Sequence, residues 1–493
     1  MRKFIVPLLT AVIVVSIVFA GCVPGAAPPV TPPPVTPPVT PPPVTPPPEQ
    51  PVLDMRGAPT TLPESAIIPP GDTYPIRIVE IGQLEPTSGP FGWVGMTDTQ
   101  GAEMGVELCN NDGGVIINNE RVFFTLFKYD DRSDPKLSMA GAELMKERGI
   151  KVIHVLGVEM SIAIQTVTEP AGIIIHGYNW DLDSMREGLH YSFSSDCIRE
   201  RIPFYAPYYV NELGCEKVGF ITENVPVWLD TTEYMIRDFT ALGCECVASE
   251  IHESDCIDFY PHLTKLKGMD MDALVVSSGA PTSALICKQR LELGWPVQIL
   301  GTDVMYGEGT PFFKIAGDAA NGVIEQAWCL EPLMEFEPWL VDVMEIDPER
   351  RARVNNALLE RFGREGYSPY QAVTSDFIKY EIEAMVLAQS WDDGDKIKEA
   401  MEQLDFYGGF VAMRYYDSDE HWRFHRMLYS RAFIRCWVDD PVTGAFHGEI
   451  LGACKPVRPP VGGHPDPETY GLEYEFTIKV PVSIKDIRAE LGY

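Results

Sequence analysis

The chain has 493 residues, with 71 acidic against 39 basic side chains and a formal net charge of −32. Such a surface has nothing to replace the counterions of a phosphate backbone, which excludes nucleic acid as a partner, and it repels anionic lipid. Hydrophobic content of 45% and charged content of 22% are those of globular protein, and the length is too great for one core and suits two domains.

In chain order, Arg2 and Lys3 precede an apolar run over residues 5–19, interrupted only by Pro7, Thr10 and Ser16. The run is short and sits at the very start, the pattern of a signal peptide rather than a spanning helix. Phe19-Ala20-Gly21-Cys22 closes it and resembles a bacterial lipobox, with Phe19 where leucine is usual. That resemblance implies cleavage before Cys22 and acylation of its thiol, each buried CH₂ contributing about 0.8 kcal/mol to membrane residence. An ordinary signal peptide with an incidental cysteine is the alternative. A Pro-Pro-Pro-Val-Thr repeat follows to about residue 52. Proline fixes φ and lacks an amide proton, so the segment is a polyproline II tether of roughly 3.1 Å per residue. Of the 11 cysteines, the ten beyond Cys22 include no C-x-x-C pair, which argues against zinc and thioredoxin-like sites.

From residue 75 short apolar strands alternate with helical patterns. Strands are expected at 76–84, 122–129, 151–156 and 173–176, with helices at 99–110 and from 135 to 148. A second series places strands at 217–222, 247–251, 273–277 and 298–300, and helices at 202–213, 231–242, 258–267 and 281–293. Residues 335–390 are helix-rich, and 406–437 alternate around Asp417-Ser418-Asp419 as a β-hairpin would. The stretch from about Pro456 is rich in Pro and Gly and is expected to wrap the surface. This β-α-β order predicts an α/β protein of two doubly wound parallel-sheet lobes.

Several segments resemble one family. They are Ile81-Gly82 with Pro86-Thr87-Ser88-Gly89-Pro90, the run from Gly101-Ala102-Glu103 to Asn110-Asn111-Asp112-Gly113-Gly114-Val115, and Tyr129-Asp130-Asp131 with Ser133-Asp134-Pro135. Gly157 with Ser161, the run from Ala316-Gly317 to Gly322-Val323, and Gly408-Gly409-Phe410 with Tyr416-Asp417 complete the set. In this order, over about residues 75–437, they resemble type I periplasmic binding proteins of the branched-chain amino acid and amide group. The resemblance implies two lobes joined by three crossings, near 191–195, 322–326 and 407–411, closing on a ligand. The implied organisation is a signal peptide over 1–22, a linker over 23–70, lobe one from 71–193 and 324–405, and lobe two from 194–323. A closing hairpin at 406–440 and an extension at 441–493 follow. It also implies ABC permease partners, an extracytoplasmic place at the membrane, and no cofactor or metal.

Carried over position by position, the resemblance implies ligand contacts from Ser88, Glu159, Ser161, Tyr178 and Asn179 in the first lobe. Trp228, Ser278 and Asp303 or Tyr306 follow in the second. Hydroxyls of Ser88 and Ser161 beside helix starts suit an anionic group, and they equally suit ordinary capping. Glu159-Met160-Ser161, Gly177-Tyr178-Asn179-Trp180 and Trp228-Leu229 depart from the family's leucine-holding turns, which argues against leucine. Phe91, Trp93, Tyr178, Trp180, Trp228 and Tyr306 gather near strand ends and suggest an aromatic wall, with Glu85, Glu159 or Asp303 available to pair with an amino group.

No G-x-S-x-G, H-E-x-x-H or phosphate-binding glycine loop occurs, so no enzyme is expected. The nine histidines show no ligand spacing, and His154 and His176 sit in apolar strands, as hydrogen-bonded core histidines do. A sensor subunit of the same fold is the alternative to transport, and an exported hydrolase a more distant one.

Overall fold

The computed structural model describes residues 61–89, 91–178, 188–195, 206–302, 311–327, 341, 343–363, 366–415, 425, 432–439, 446–456 and 474–478. The signal peptide, Cys22, the proline-rich repeat, Asn179, Trp180, Asp303, Tyr306 and Asp417-Ser418-Asp419 lie outside the described residues.

The first lobe is a six-stranded sheet. Its strands are β1 (Ile76–Glu85), β2 (Val115–Ile117), β3 (Glu120–Asp130), β4 (Val152–Leu156), β5 (Ile174–Tyr178) and β6 (Ser192–Ser194), in the order β2-β3-β1-β4-β5-β6. All pairings are parallel except β2 with β3. Strands β4 and β5 are buried along their whole length, as a parallel sheet covered on both faces requires. Helices α1 (Gly92–Asn111), α2 (Pro135–Glu147) and α3 (Val158–Thr168) connect them. Asp134 caps α2 by accepting from Lys136 N, with Pro135 in the first turn. Ile153, Val155 and Ile175 pack with Ala142, Met145 and Ile164 on the α2–α3 face. Alternate residues of the same strands point to the opposite face.

The second sheet has the order β16-β15-β14-β11-β10-β9-β7-β8. Its parallel part is β7 (Lys217–Glu223), β8 (Glu245–His252), β9 (Ala273–Ser277), β10 (Gln298–Gly301) and β11 (Ile324–Ala327). Helices α4 (Pro226–Ala241), α5 (Tyr260–Lys267), α6 (Ala280–Glu292) and α7 (Phe312–Ala316) accompany it. Strands β14 (Ala432–Asp439), β15 (Phe446–Pro456) and β16 (Tyr474–Ile478) extend it antiparallel from β11. Arg435 and Glu325 are register partners there, joined by a fully buried ion pair in which Trp437 Nε1 also donates to Glu325 Oε1 at 2.8 Å.

Helices α8 (Pro348–Phe362), α9 (Pro369–Ala388) and α10 (Gly394–Gln403) return to the first lobe, where α9 lies along α1. A capping box of Ser368 and Gln371 starts α9. The two helices approach so closely that a Cβ on Gly101 would lie 2.4 Å from Gln371 O. Asp376 on α9 pairs with Arg350 at 2.6 Å and accepts from Phe410 N at 2.7 Å, tying the third crossing to this lobe.

Four expectations need correction. The hairpin over 406–437 does not form as such: β12 (Phe406–Tyr407) pairs with β13 (Ala412–Met413), while β14 joins the large sheet. Strand β11 belongs to the second sheet, not to the segment returning to lobe one, because it pairs with β10 and β14. The 441–493 segment supplies β15 and β16 to that sheet rather than only wrapping the surface. Helices α1 and α4 begin earlier than expected, at Gly92 and Pro226, and for α4 the proline is well suited to a first helical turn.

Candidate functional site: a crevice between two switch points

Both parallel sheets have the same strand order around their centres, β3-β1-β4-β5 and β8-β7-β9-β10. Connections leave β1 and β4 to opposite sides, and likewise β7 and β9. Such switch points open a crevice beyond the carboxyl ends of the strands. Here the two crevices meet. A cavity of about 40 Å³ is lined by Phe91, which follows β1, by Leu156-Gly157-Val158-Glu159-Met160 at the end of β4, and by Val225-Pro226-Val227 after β7. Its walls are largely carbon, with the exposed Glu159 carboxylate at the rim.

Gly157 makes the turn into α3 possible. Its φ is +106°, and a Cβ there would lie 2.1 Å from Met160 Cε. Neither Gly157 nor Val225 caps its helix through a side chain. The amino terminus of α3, whose first residues Val158, Glu159 and Met160 line the crevice, is therefore an anion-attracting end there. Helix α4 instead starts with Pro226, which has no N–H, and its Trp228 and Leu229 N–H groups donate to Val225 O.

The described residues expected at the site divide into three groups. Phe91 and Glu159 line the crevice. The Ser88 hydroxyl instead donates to Asp130 Oδ2 at 2.7 Å and ties two turns together. Burial works to raise Asp130, but bonds from Ser88 and neighbouring amides prevail and hold it below the usual carboxylate range. Ser161 and Ser278 are buried, with hydroxyls bonded to Gly157 O at 2.7 Å and to Ser283 Oγ at 3.0 Å. Tyr178 packs beneath α9, its ring 5.1 Å from Phe377 and 5.6 Å from Tyr370. Trp228 is 5% exposed within α4, and Trp93 stands edge-on to Tyr370. Among the described residues, Phe91 is the member of the expected aromatic wall that lines the crevice, and Leu156, Val158, Met160, Val225 and Val227 make up the aliphatic part of its lining. Val225, Pro226 and Val227 were missed because the start of α4 read as loop. Proline one residue after an extended position was the available signal.

A separate polar cluster lies inside the first lobe, on the α1–α9 face. His154 and His176 meet Glu381 of α9, and Asp98 and Glu85 flank His154. Burial and then the Asp98 charge push Glu85 well above the carboxylate range. Burial acts to lower His154, but Asp98 and Glu381 outweigh it and hold the imidazole up at about 9.

The profile of the family described as periplasmic binding protein matches residues 78–430. The chain belongs to that family. It is 23% identical over 250 residues to the Leu/Ile/Val-binding protein BraC3 of Rhizobium johnstonii, a match covering 50% of this chain and 66% of that protein. Identity to Leu/Ile/Val-binding protein homolog 7 of Brucella abortus is 23% over 359 residues, 68% of this chain and 84% of that one. Among solved structures, the branched-chain amino acid transporter substrate-binding protein LivJ of Streptococcus pneumoniae, in complex with isoleucine, superposes with a TM-score of 0.63 at 19% identity. That superposition covers 77% of this chain and all of the other. A solute-binding protein of Rhodopseudomonas palustris, in complex with 3,4-dihydroxybenzoic acid, gives a TM-score of 0.61 at 17% identity over 76% of this chain and 97% of that one. The periplasmic-binding-protein fold, with its two lobes, is therefore common to all of them.

Proposed function

We propose that this chain is an extracytoplasmic solute-binding lipoprotein, anchored through Cys22, that closes on a small molecule and delivers it to an ABC permease without altering it. The observation that carries this is the crevice walled by both lobes at facing switch points. At about 40 Å³ it has room for only a few waters, so a ligand enters by hinge opening and is buried on closure. The matched relatives are named for leucine, isoleucine and valine, and the solved neighbours hold isoleucine or a hydroxybenzoic acid. Each of these compounds joins a carboxylate to an apolar body. The first-turn amides of α3 suit the carboxylate, the carbon walls suit the apolar body, and Glu159 suits an ammonium group. An amino acid with an apolar side chain fits these three features best. Phe91, Val158, Glu159, Met160, Val225 and Val227 are its contacts in this reading. Asn179, Asp303 and Tyr306 remain contact candidates.

A thermal-shift screen tests this with apolar amino acids, their amides and aromatic acids, followed by calorimetry on the hits. An apolar amino acid should raise the melting temperature. Glu159→Gln should weaken its binding at least tenfold, about 1.4 kcal/mol, while leaving aromatic acids unaffected. Turnover of a bound compound, or no shift with any of the three classes, would refute the proposal.

A further inference from the structure

The polar cluster in the first lobe lies apart from the crevice lining, and holding a solute gives it no task. His154 on β4 and His176 on β5 are register partners, so their side chains rise together from one face of the sheet. Helix α9 brings Glu381 onto both. Its Oε1 lies 2.8 Å from His176 Nδ1 and 3.3 Å from His154 Nδ1. All three side chains are fully buried, and one donor atom from each lies within 4.8 Å of the other two.

The far nitrogen of each ring is engaged as well. His154 Nε2 is 3.2 Å from Asp98 Oδ2, and His176 Nε2 is 2.7 Å from the Tyr415 hydroxyl. Metal-bound imidazoles are held this way: one nitrogen faces the ion, and the other donates its proton to a carboxylate or similar acceptor that fixes the ring. As hydrogen bonds alone the arrangement is lopsided. Two Nδ1 atoms converge on one oxygen of Glu381, while its Oε2 has no hydrogen-bond partner. Gln83, the partner of His154 across β1, is 1% exposed and neither of its amide atoms is bonded. Buried polar atoms are nearly always satisfied, so this cluster lacks something. With a divalent ion bound in place of the proton on His154, two neutral imidazoles, the Glu381 and Asp98 carboxylates and the ion would sum to zero charge, which suits a site closed to water.

We propose that His154 Nδ1, His176 Nδ1 and the Glu381 carboxylate bind one divalent transition-metal ion of the zinc class, with Asp98 and Tyr415 orienting the two rings. Mixed imidazole and carboxylate donors suit zinc, whereas calcium and magnesium favour all-oxygen shells. The ligands come from adjacent strands and from a helix more than two hundred residues later, 205 positions separating His176 from Glu381. The ion would staple helix to sheet.

The test uses the untagged protein, stripped with a chelator and dialysed, then titrated with Co²⁺ and with Zn²⁺. One equivalent should bind, with visible ligand-field absorption from cobalt and a higher melting temperature with zinc. His176→Gln and Glu381→Gln should each lower affinity at least tenfold, with folding checked by circular dichroism. Should those variants fail to fold, Asp98→Asn keeps all three ligands and should weaken binding about 10–100-fold. Absence of stoichiometric uptake by the wild-type chain, or unchanged affinity in a folded variant, overturns the proposal.

Discussion

Gly101→Ala sets two effects of known size against each other. In an open helix the change favours folding by about 1 kcal/mol, because alanine loses less conformational freedom than glycine. At this position the new Cβ would lie 2.4 Å from Gln371 O and 2.7 Å from Gln371 Cα. Both atoms are backbone of α9, so no rotamer change relieves the contact, and the helices must move apart by most of an ångström. Such overpacking costs about 1–3 kcal/mol, and a rigid obstacle places this case near the top of that range. The net expectation is a loss of about 2 kcal/mol. At roughly 2–4 °C per kcal/mol for a large domain, that is a drop of about 4–8 °C in Tm. Urea unfolding followed by fluorescence gives the free energy directly. A variant as stable as wild type, or more so, would show that α1 and α9 do not pack at this distance.

Three further outcomes follow from the same structure. Glu325→Gln leaves Arg435 buried against a neutral partner and should cost about 3–5 kcal/mol, while the double change Glu325→Leu with Arg435→Met should recover most of that loss by chemical denaturation. Trp228→Ala should lower stability by about 3–5 kcal/mol, since the ring is packed within the second lobe. Loss of ligand affinity with unchanged unfolding would contradict that placement. Burial holds the His252 imidazole below its ordinary value, so the folded state takes up its proton later than the unfolded chain as pH falls. Its stabilising effect is complete above about pH 6.5 and is lost on acidification below that. His252→Asn should therefore flatten the stability profile under pH 6.5 by up to about 1.4 kcal/mol per pH unit, measured as a wild-type-minus-variant difference.

The alternating strands were legible because β1, β4, β7 and β9 are short apolar runs bounded by turn residues, and neighbouring strands follow one another closely in sequence. The switch-point crevice follows from that order, and Phe91 and Glu159, two of the residues expected near it, lie along its lining. What escaped were features that depend on partners remote in sequence. Tyr178 reads as an exposed strand end until α9 covers it with Phe377, two hundred residues later. His154 and His176 look unrelated until the β4–β5 register sets them side by side. Strand β15 carries little alternation of its own around its two glycines, and it finds its place by pairing with β14, while the short β16 in turn pairs with β15.

The antiparallel addition to the second sheet changes what that flank offers to other molecules. Three strands beyond β11, at about 4.8 Å each, move the border roughly 14 Å outward. The row of backbone amides and carbonyls that β11 would otherwise present is occupied by β14 along all four of its residues. A molecule approaching from that side would meet a wide antiparallel ribbon ending in β16 rather than the border of the parallel strands.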